Sequence, residues 1–317
     1  MSELPMMRYV ARVTIESKTP FLVGSGRGSE ITDMMPVVDA NGLPAIPGTS
    51  IAGVLRHGFA AHPGHSDGAT RDLFGFASRK DSKDEGRGSK LWVSWAHIHD
   101  QSDTPVDGFR PEGIGDDPVL QNALALSVRD HVRINHRGAA ADRGKFDQAV
   151  IPAGHRFTFD MILEGSASGD DEAHFDWLLG YLASPSMRIG GSGKRGLGAF
   201  DRNRVLYGAF DLTQTDQALR FAGLPVRLDA PAPELVPYNL QPDEQTPLSR
   251  TLELELQAED YWVFCGEEAW LTEKEQSATD AGSQKTPDFN PVREERVVWR
   301  DGRGHVAPPA MYIPGSA

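Results

Sequence analysis

Two runs of strand, helix and strand follow one another in this chain, and that order limits the fold more tightly than any single motif does. Residues 8–16 alternate, with Tyr9, Ala11, Val13 and Ile15 on one face and Arg8, Arg12, Thr14 and Glu16 on the other, the pattern of a half-buried strand. A helix is predicted over 50–61, because Ile51, Val54, Leu55 and Phe59 fall on one stripe. Residues 91–98 read as a second strand and 156–163 as a third. A second helix over 171–183 has acids in its first turn and turns Phe175, Leu178, Leu179 and Leu182 inward, and a fourth strand begins at Ala199.

Such an order predicts an α+β fold of the ferredoxin-like (RRM-like) split βαβ kind, with insertions in both halves. The same sheet carries RNA in RRM domains. With 317 residues, 39% of them hydrophobic, the chain can bury a sizeable core as one large domain or two smaller ones. A net charge of -13 argues against a surface that coats nucleic acid as a whole, so any such binding must come from local basic segments. The single cysteine, Cys265, excludes a disulfide framework or a paired-cysteine zinc site and fits a reducing cytoplasm. The N-terminal stretch has no apolar signal region, and no run approaches the roughly 20 apolar residues of a membrane span, so a cytoplasmic protein with no membrane partner is expected. The pairs His97 and His99, and His62 and His65, read as surface or hydrogen-bonded histidines rather than metal ligands.

Three segments carry chemistry. Residues 24–56 open with Gly and Ser, place a carboxylate at Asp33, turn at 39–42 and enter the first helix through Pro47-Gly48-Thr49-Ser50. Thr49 or Ser50 is the expected N-cap, Gly48 and the helix-start amides make an anion-binding end, and Arg56 on the next turn can reach a phosphate. A hairpin and a capped helix without a ligand is the alternative. The interruption over 99–154 concentrates Arg129, Arg133, Arg137, Arg143 and Lys145 with His131 and His136 against Asp130, Asp142 and Asp147. It is the footprint of a polyanion site, or else a solvated loop whose arginines pair with nearby acids. Finally, residues 187–200 set Lys194-Arg195 among Gly190, Gly191, Gly193, Gly196 and Gly198, so that backbone amides and two cations can approach phosphates. No Walker loop or dinucleotide fingerprint is present, since a strand follows where a helix is required.

Asp33 with Pro36-Val37, the run from Ile46 to Arg56, Leu73-Phe74-Gly75, Val150-Ile-Pro-Ala-Gly154 and the run from Ile189 to Gly198 together resemble the RAMP superfamily. In particular they resemble the backbone subunits of type III CRISPR-Cas effector complexes, in order over about residues 8–212. The resemblance implies that Asp33 is the aspartate of metal-dependent target-RNA cutting, with Mg²⁺ or another divalent cation as cofactor. It implies that Ser50, Arg56, Gly190, Gly191, Lys194 and Arg195 hold the guide-RNA backbone. The basic insertion matches the family's thumb, placed at about 127–150, where Arg129, His131, Arg133, His136 and Arg137 would meet RNA. Implied partners are CRISPR guide RNA, complementary target RNA, and other RAMP domains or subunits of the effector complex.

Residues 1–223 are thus expected to form a first RAMP domain and 224–249, rich in proline, a stiff linker. Beyond it the opening motif returns: Asp288, Pro291 and Val292 restate Asp33, Pro36 and Val37, Asp301-Gly302 restates Asn41-Gly42, and Ile313-Pro314-Gly315 restates Ile46-Pro47-Gly48. Residues 250–317 therefore read as the N-terminal part of a second RAMP domain in a multi-RAMP fusion, or as a segment that completes a neighbour, since a strand and hairpin alone bury no core. Asp288 is a second, lesser catalytic candidate. Three functions stay open on the residues: an RNA-guided endoribonuclease, a non-cutting guide-RNA scaffold, and a nuclease that processes its own precursor guide with a histidine as acid or base.

Overall fold

The strand Met7–Ser17, β1, has both edges taken: Arg156–Gly165 pairs along one and Phe200–Asp211 along the other, each antiparallel. The computed structural model describes residues 6–29, 32–78, 86–110, 112–167, 169–238, 265–266, 290–291 and 293–311. In chain order its elements are β1, β2 (Ala45–Ile46), α1 (Gly48–Ala61), α2 (Asp67–Phe74), β3 (Leu91–Val93), β4 (Ala96–Ile98), α3 (Pro118–Leu124), β5 (Ser127–Ile134) and β6 (Ala140–Val150). They continue as β7 (Arg156–Gly165), α4 (Asp171–Tyr181), β8 (Phe200–Asp211), α5 (Thr215–Ala222), β9 (Val236–Pro237), β10 (Cys265–Gly266), β11 (Asn290–Pro291), β12 (Arg293–Arg300) and β13 (Arg303–Met311). The main sheet runs β2-β4-β7-β1-β8-β9, with β3 also on β7, so the fold is mixed α and β around an antiparallel sheet.

One face of that sheet is the core. Tyr9, Ala11, Val13 and Ile15 of β1 and Phe157, Phe159, Met161 and Leu163 of β7 are buried against Ile51, Leu55 and Phe59 of α1 and Phe175, Leu178 and Leu179 of α4. Phe21 meets Phe157 and Phe200 edge to face, with ring centroids 5.5 and 5.0 Å apart. The strand predicted over 91–98 is broken in two. Ser94 exchanges bonds with Asp160 instead, its amide donating to the Asp160 carbonyl and its hydroxyl accepting from the Asp160 amide, both at 2.9 Å. Helix α1 starts over that break, and a Cβ on Gly48 would lie 2.0 Å from the Val93 carbonyl oxygen. Neither Thr49 nor Ser50 is the N-cap: the helix begins at Gly48, Pro47 stands before it at φ -58° and ψ 136°, and no side chain caps it.

The opposite face is not an open platform. Val10, Phe210, Ala232 and Leu235 form a second apolar cluster there, with Leu206, Phe221 and Leu224 packed around it. The segment expected as a stiff spacer thus lies across the sheet as far as Tyr238. Arg12 holds it down. Its guanidinium grips both oxygens of Asp160, at 2.8 and 3.0 Å, and also donates to the carbonyls of Pro225, Leu228 and Ala230. A planar fork with five donors can serve all these acceptors at once, whereas a lysine could not.

The interruption over 99–154 contains a helix that its composition did not announce, α3, capped by Asp117, whose carboxylate accepts from the Val119 and Leu120 amides. The rest of it is a two-stranded ribbon, β5–β6, joined in the register Ser127↔Val150 to Ile134↔Ala140 and separate from the main sheet. Farther on, β12 and β13 form a hairpin through Asp301 and Gly302, both at positive φ, and the hairpin lies against α3. Within this region His155 is fully buried. Its Nε2–H donates to Asn122 Oδ1 at 3.0 Å, and no partner among the described residues reaches its Nδ1. Burial pushes its pKa down to about 3, because a proton on Nδ1 would stand uncompensated. His99 shifts the same way through burial, although Asp103 opposes the shift.

Removing Arg12 strands a largely covered carboxylate and frees three carbonyls. Arg12→Ala should therefore lower stability by about 3 to 5 kcal/mol in urea unfolding and raise amide exchange across 225–235. Equal exchange in wild type and variant would show that the segment is held by its apolar contacts alone. His155 carries a lower pKa folded than unfolded, so the unfolded chain takes up its proton first and stability falls as pH drops from about 6.5 toward 3. Between pH 7 and 5 the loss from this one group should be about 2 kcal/mol. Urea midpoints of His155→Gln should depend correspondingly less on pH over that range, and an unchanged dependence would refute the assignment.

Candidate nucleic-acid interface

Helix α1 and the Gly-rich segment after α4 enclose a groove of about 470 Å³, lined by Thr49, Ser50, Gly53, Val54, His57, Tyr181, Ser186, Arg188 and Gly190. Its helical wall follows the spacing 49, 53, 57 and 50, 54. Arg56 is exposed but falls outside this lining, and His57 occupies the place that Arg56 was expected to fill. The Ser50 amide is already used by the Pro47 carbonyl at 2.9 Å, so its hydroxyl is what Ser50 offers the groove. Arg188 is tied back to the carbonyls of Pro185 and Met187 at 2.7 and 2.8 Å.

The glycines of the rich segment do a different job from the one their number predicts. Gly190 has φ +94°, and a Cβ there would lie 2.3 Å from the Leu22 carbonyl oxygen. The Gly191 amide donates to that same oxygen at 2.8 Å and the Gly198 amide to Pro20 at 3.0 Å, while those of Arg195 and Gly196 close the short turn Gly193–Arg195. These amides face the protein rather than a phosphate. Their effect is to press the loop onto residues 20–22 and to leave Lys194 and Arg195 exposed at its crest.

The crest meets the root of the ribbon. His131 stacks on Phe146 across the β5–β6 ladder with centroids 5.1 Å apart, and the Arg195 guanidinium lies 5.1 Å from the Phe146 ring centre. Burial lowers the pKa of His131, with Arg195 and then Arg129 adding to the shift, so its ring favours the neutral form. Gln148, also buried, accepts a hydrogen bond from the Ser192 hydroxyl at 3.2 Å, while its Nε2 meets no partner among the described residues. Farther along the ribbon Arg133, His136 and Arg137 are exposed, and Lys145 pairs with Asp130 at 3.5 Å. Arg129 is placed otherwise: it is mostly covered and ion-paired with Glu294 of β12.

On the other edge of β6 sits Asp33, exposed. Its amide donates to Asp147 Oδ1 at 2.6 Å and the Asp147 amide donates to Asp33 Oδ2 at 3.2 Å, a reciprocal pair that ties the loop to the ribbon. The Ala149 amide adds a bond to the Met34 carbonyl at 3.0 Å. Two carboxylates are brought together here where the sequence singled out one. Hard oxygen donors of this kind suit Mg²⁺, which takes one or two carboxylates and completes its shell with water and phosphate. No group of three or more His, Cys, Asp or Glu side chains suited to a metal occurs among the described residues. Asp288 lies outside them.

Sequence reasoning missed His57, Tyr181, Arg188, Phe146, Gln148 and Asp147 as lining or neighbouring residues. For Phe146 a signal existed, because a hairpin closing 127 on 150 necessarily sets 131 opposite 146. For Tyr181 and Arg188 none did, since both enter the groove only through packing.

A family model described as the RAMP superfamily matches residues 14–201, more than half of the chain, from within β1 through the Gly-rich loop to the start of β8. No curated protein matches the chain significantly. Among the described residues no helix is long and apolar enough to cross a membrane.

If Gly190 serves to seat the loop, Gly190→Ala should cost about 1 to 3 kcal/mol from the positive φ, with the clash against Leu22 adding to it. Gly193→Ala meets only Arg188 side-chain carbons at 3.4 Å and should stay within about 0.5 kcal/mol of wild type. Thermal unfolding of the two variants checks the contrast, and equal losses would contradict it.

Proposed function

The chain belongs to the RAMP superfamily, a family of CRISPR-associated RNA-binding proteins, and from that premise we propose that it is a guide-RNA-binding backbone unit of a type III effector that cuts complementary target RNA. On this reading the sheet with α1 and α4 is a ferredoxin-like domain and the β5–β6 ribbon is its thumb. One observation carries the proposal: the basic crest of the Gly-rich loop, the ribbon root with its stacked His131–Phe146 pair, and an exposed carboxylate at Asp33 converge around β6. Cations on a loop and a ribbon suit a backbone of phosphates, and half-buried rings at a ribbon root can offer an edge to unstacked bases.

In the cutting step the protein contributes position and charge. Lys194 and Arg195 would neutralise phosphates of the guide. The ribbon, set between bases, would kink the target so that a 2′-hydroxyl aligns with its own phosphate. Asp33 with Asp147 would hold the divalent cation, which when bound supplies charge neutralisation at the scissile phosphate. The acceptor geometry of Asp33, fixed by the Asp147 amide, keeps the carboxylate at the ribbon edge before any RNA arrives.

The test is Asp33→Asn in the assembled complex with a complementary RNA. Mg²⁺-dependent cutting should disappear while affinity for guide and target stays within about threefold, roughly 0.65 kcal/mol. Wild-type cutting by the variant would exclude Asp33, and joint loss of binding and cutting would exclude a purely chemical role. A wild-type complex that binds guide but never cuts would favour the scaffold reading, and metal-independent cutting of precursor guide would favour the processing one.

A further inference from the structure

The β12–β13 hairpin lies outside the family match, yet it is fastened to the body that carries the interface. The Val297 amide donates to the Ala153 carbonyl at 3.0 Å, the Trp299 indole N–H to the Gly154 carbonyl at 2.7 Å, and the Gly304 amide to the Gln101 carbonyl at 2.9 Å. The receiving surface is shaped for it. Gly154 has φ +92°, and a Cβ there would stand 1.9 Å from the Val297 carbonyl oxygen, so no side chain fits while the hairpin is seated. The Arg156 guanidinium lies 4.3 Å from the Trp299 ring centre, and ion pairs to Glu16 and Asp103 hold it there.

Two acids of β12 reach past this seat. Glu295 accepts from Asn122 of α3 at 3.2 Å, and Glu294 pairs with Arg129 near the start of β5, both partners being largely covered at 10% and 18% side-chain exposure. A ribbon of two strands is marginally stable by itself, so its direction depends on what grips its root. The loop at Asp33 grips one edge and the Gly-rich loop touches Gln148 and Phe146. Glu294 adds a grip from 165 residues downstream.

We propose that the β12–β13 hairpin is a positioning clamp, seated on the Gly154 turn, that fixes the direction of the β5–β6 ribbon through the Glu294–Arg129 ion pair. The ribbon carries Arg133 and Arg137, so the clamp decides where those cations stand relative to Lys194 and Arg195. The hairpin occupies the stretch that restates the opening motif of the chain. A following unit would in this way set the ribbon of the unit before it. The clamp is a property of the chain alone and does not depend on what the ribbon binds.

Amide exchange of the full chain without RNA tests it. Glu294→Arg and Arg129→Glu should each raise exchange over 127–134 and 140–150 about tenfold while β1 and β7 stay protected, and the double reversal should restore protection to within about threefold. Trp299→Ala should loosen hairpin and ribbon together. Should either reversal unprotect β1 and β7, the milder Glu294→Gln is read in its place. A ribbon unchanged in the single variants, a double reversal that fails to restore it, or a ribbon that stays protected when Trp299→Ala frees the hairpin would each overturn the proposal.

Discussion

Strand β1 has no free side. Hydrogen-bonded on both edges and covered on both faces, it must be apolar on one face and fully paired on the other, because a buried polar group without a partner costs more than a hydrogen bond returns. The second face meets that demand with a chain of bonds. Thr14 and Thr158 share a hydrogen bond at 2.8 Å, Thr158 meets His99 at 2.7 Å, His99 meets Asp103 at 2.8 Å, and Arg156 joins Asp103 to Glu16. Arg12 and Asp160 extend the layer, and the segment over 224–238 closes it. The resulting layer covers β1 on this face, while Trp92 of β3, opposite Ile162, stays exposed at its margin.

On the proposed function, contact with a polyanion would fall to loops at the edge of the fold. There the molecule separates two tasks that one Gly-rich motif might have combined. Glycine backbone conforms to the protein, with Gly190 and Gly191 pressed on Leu22, while side chains of Lys194 and Arg195 face outward. Long cationic side chains reach phosphates without demanding a fixed backbone pose, which suits a ligand whose sequence is not read. A net charge of -13 over the whole chain discourages unspecific coating and leaves local basic segments as the places of attraction.

The same economy shows at the ribbon root, where one short stretch of β6 serves three neighbours. Phe146 and Gln148 turn to the Gly-rich loop, whereas Asp147 and Ala149 bond the loop of Asp33. The period of two along a strand makes this division automatic. A shift of one residue in the β5–β6 register would exchange the two sets and dismantle both contacts.

What the sequence determined by itself were the features that repeat locally. Alternation from Tyr9 to Ile15, the apolar stripe of α1, and the inward Phe175, Leu178 and Leu179 all follow from periodicity, and each stands in the structure, whereas the ribbon over 127–150 is expected only from the family resemblance. Only the tertiary structure decided the rest. That the proline-rich stretch folds back rather than extends depends on Arg12 and Asp160, residues 148 apart that meet only when β1 and β7 pair. That Arg129 faces Glu294 instead of solvent, that His57 rather than Arg56 lines the groove, and that Asp33 is joined by Asp147 are likewise long-range facts. Local sequence sets which way a side chain leaves its own backbone, but its partner is fixed by where the other elements come to rest.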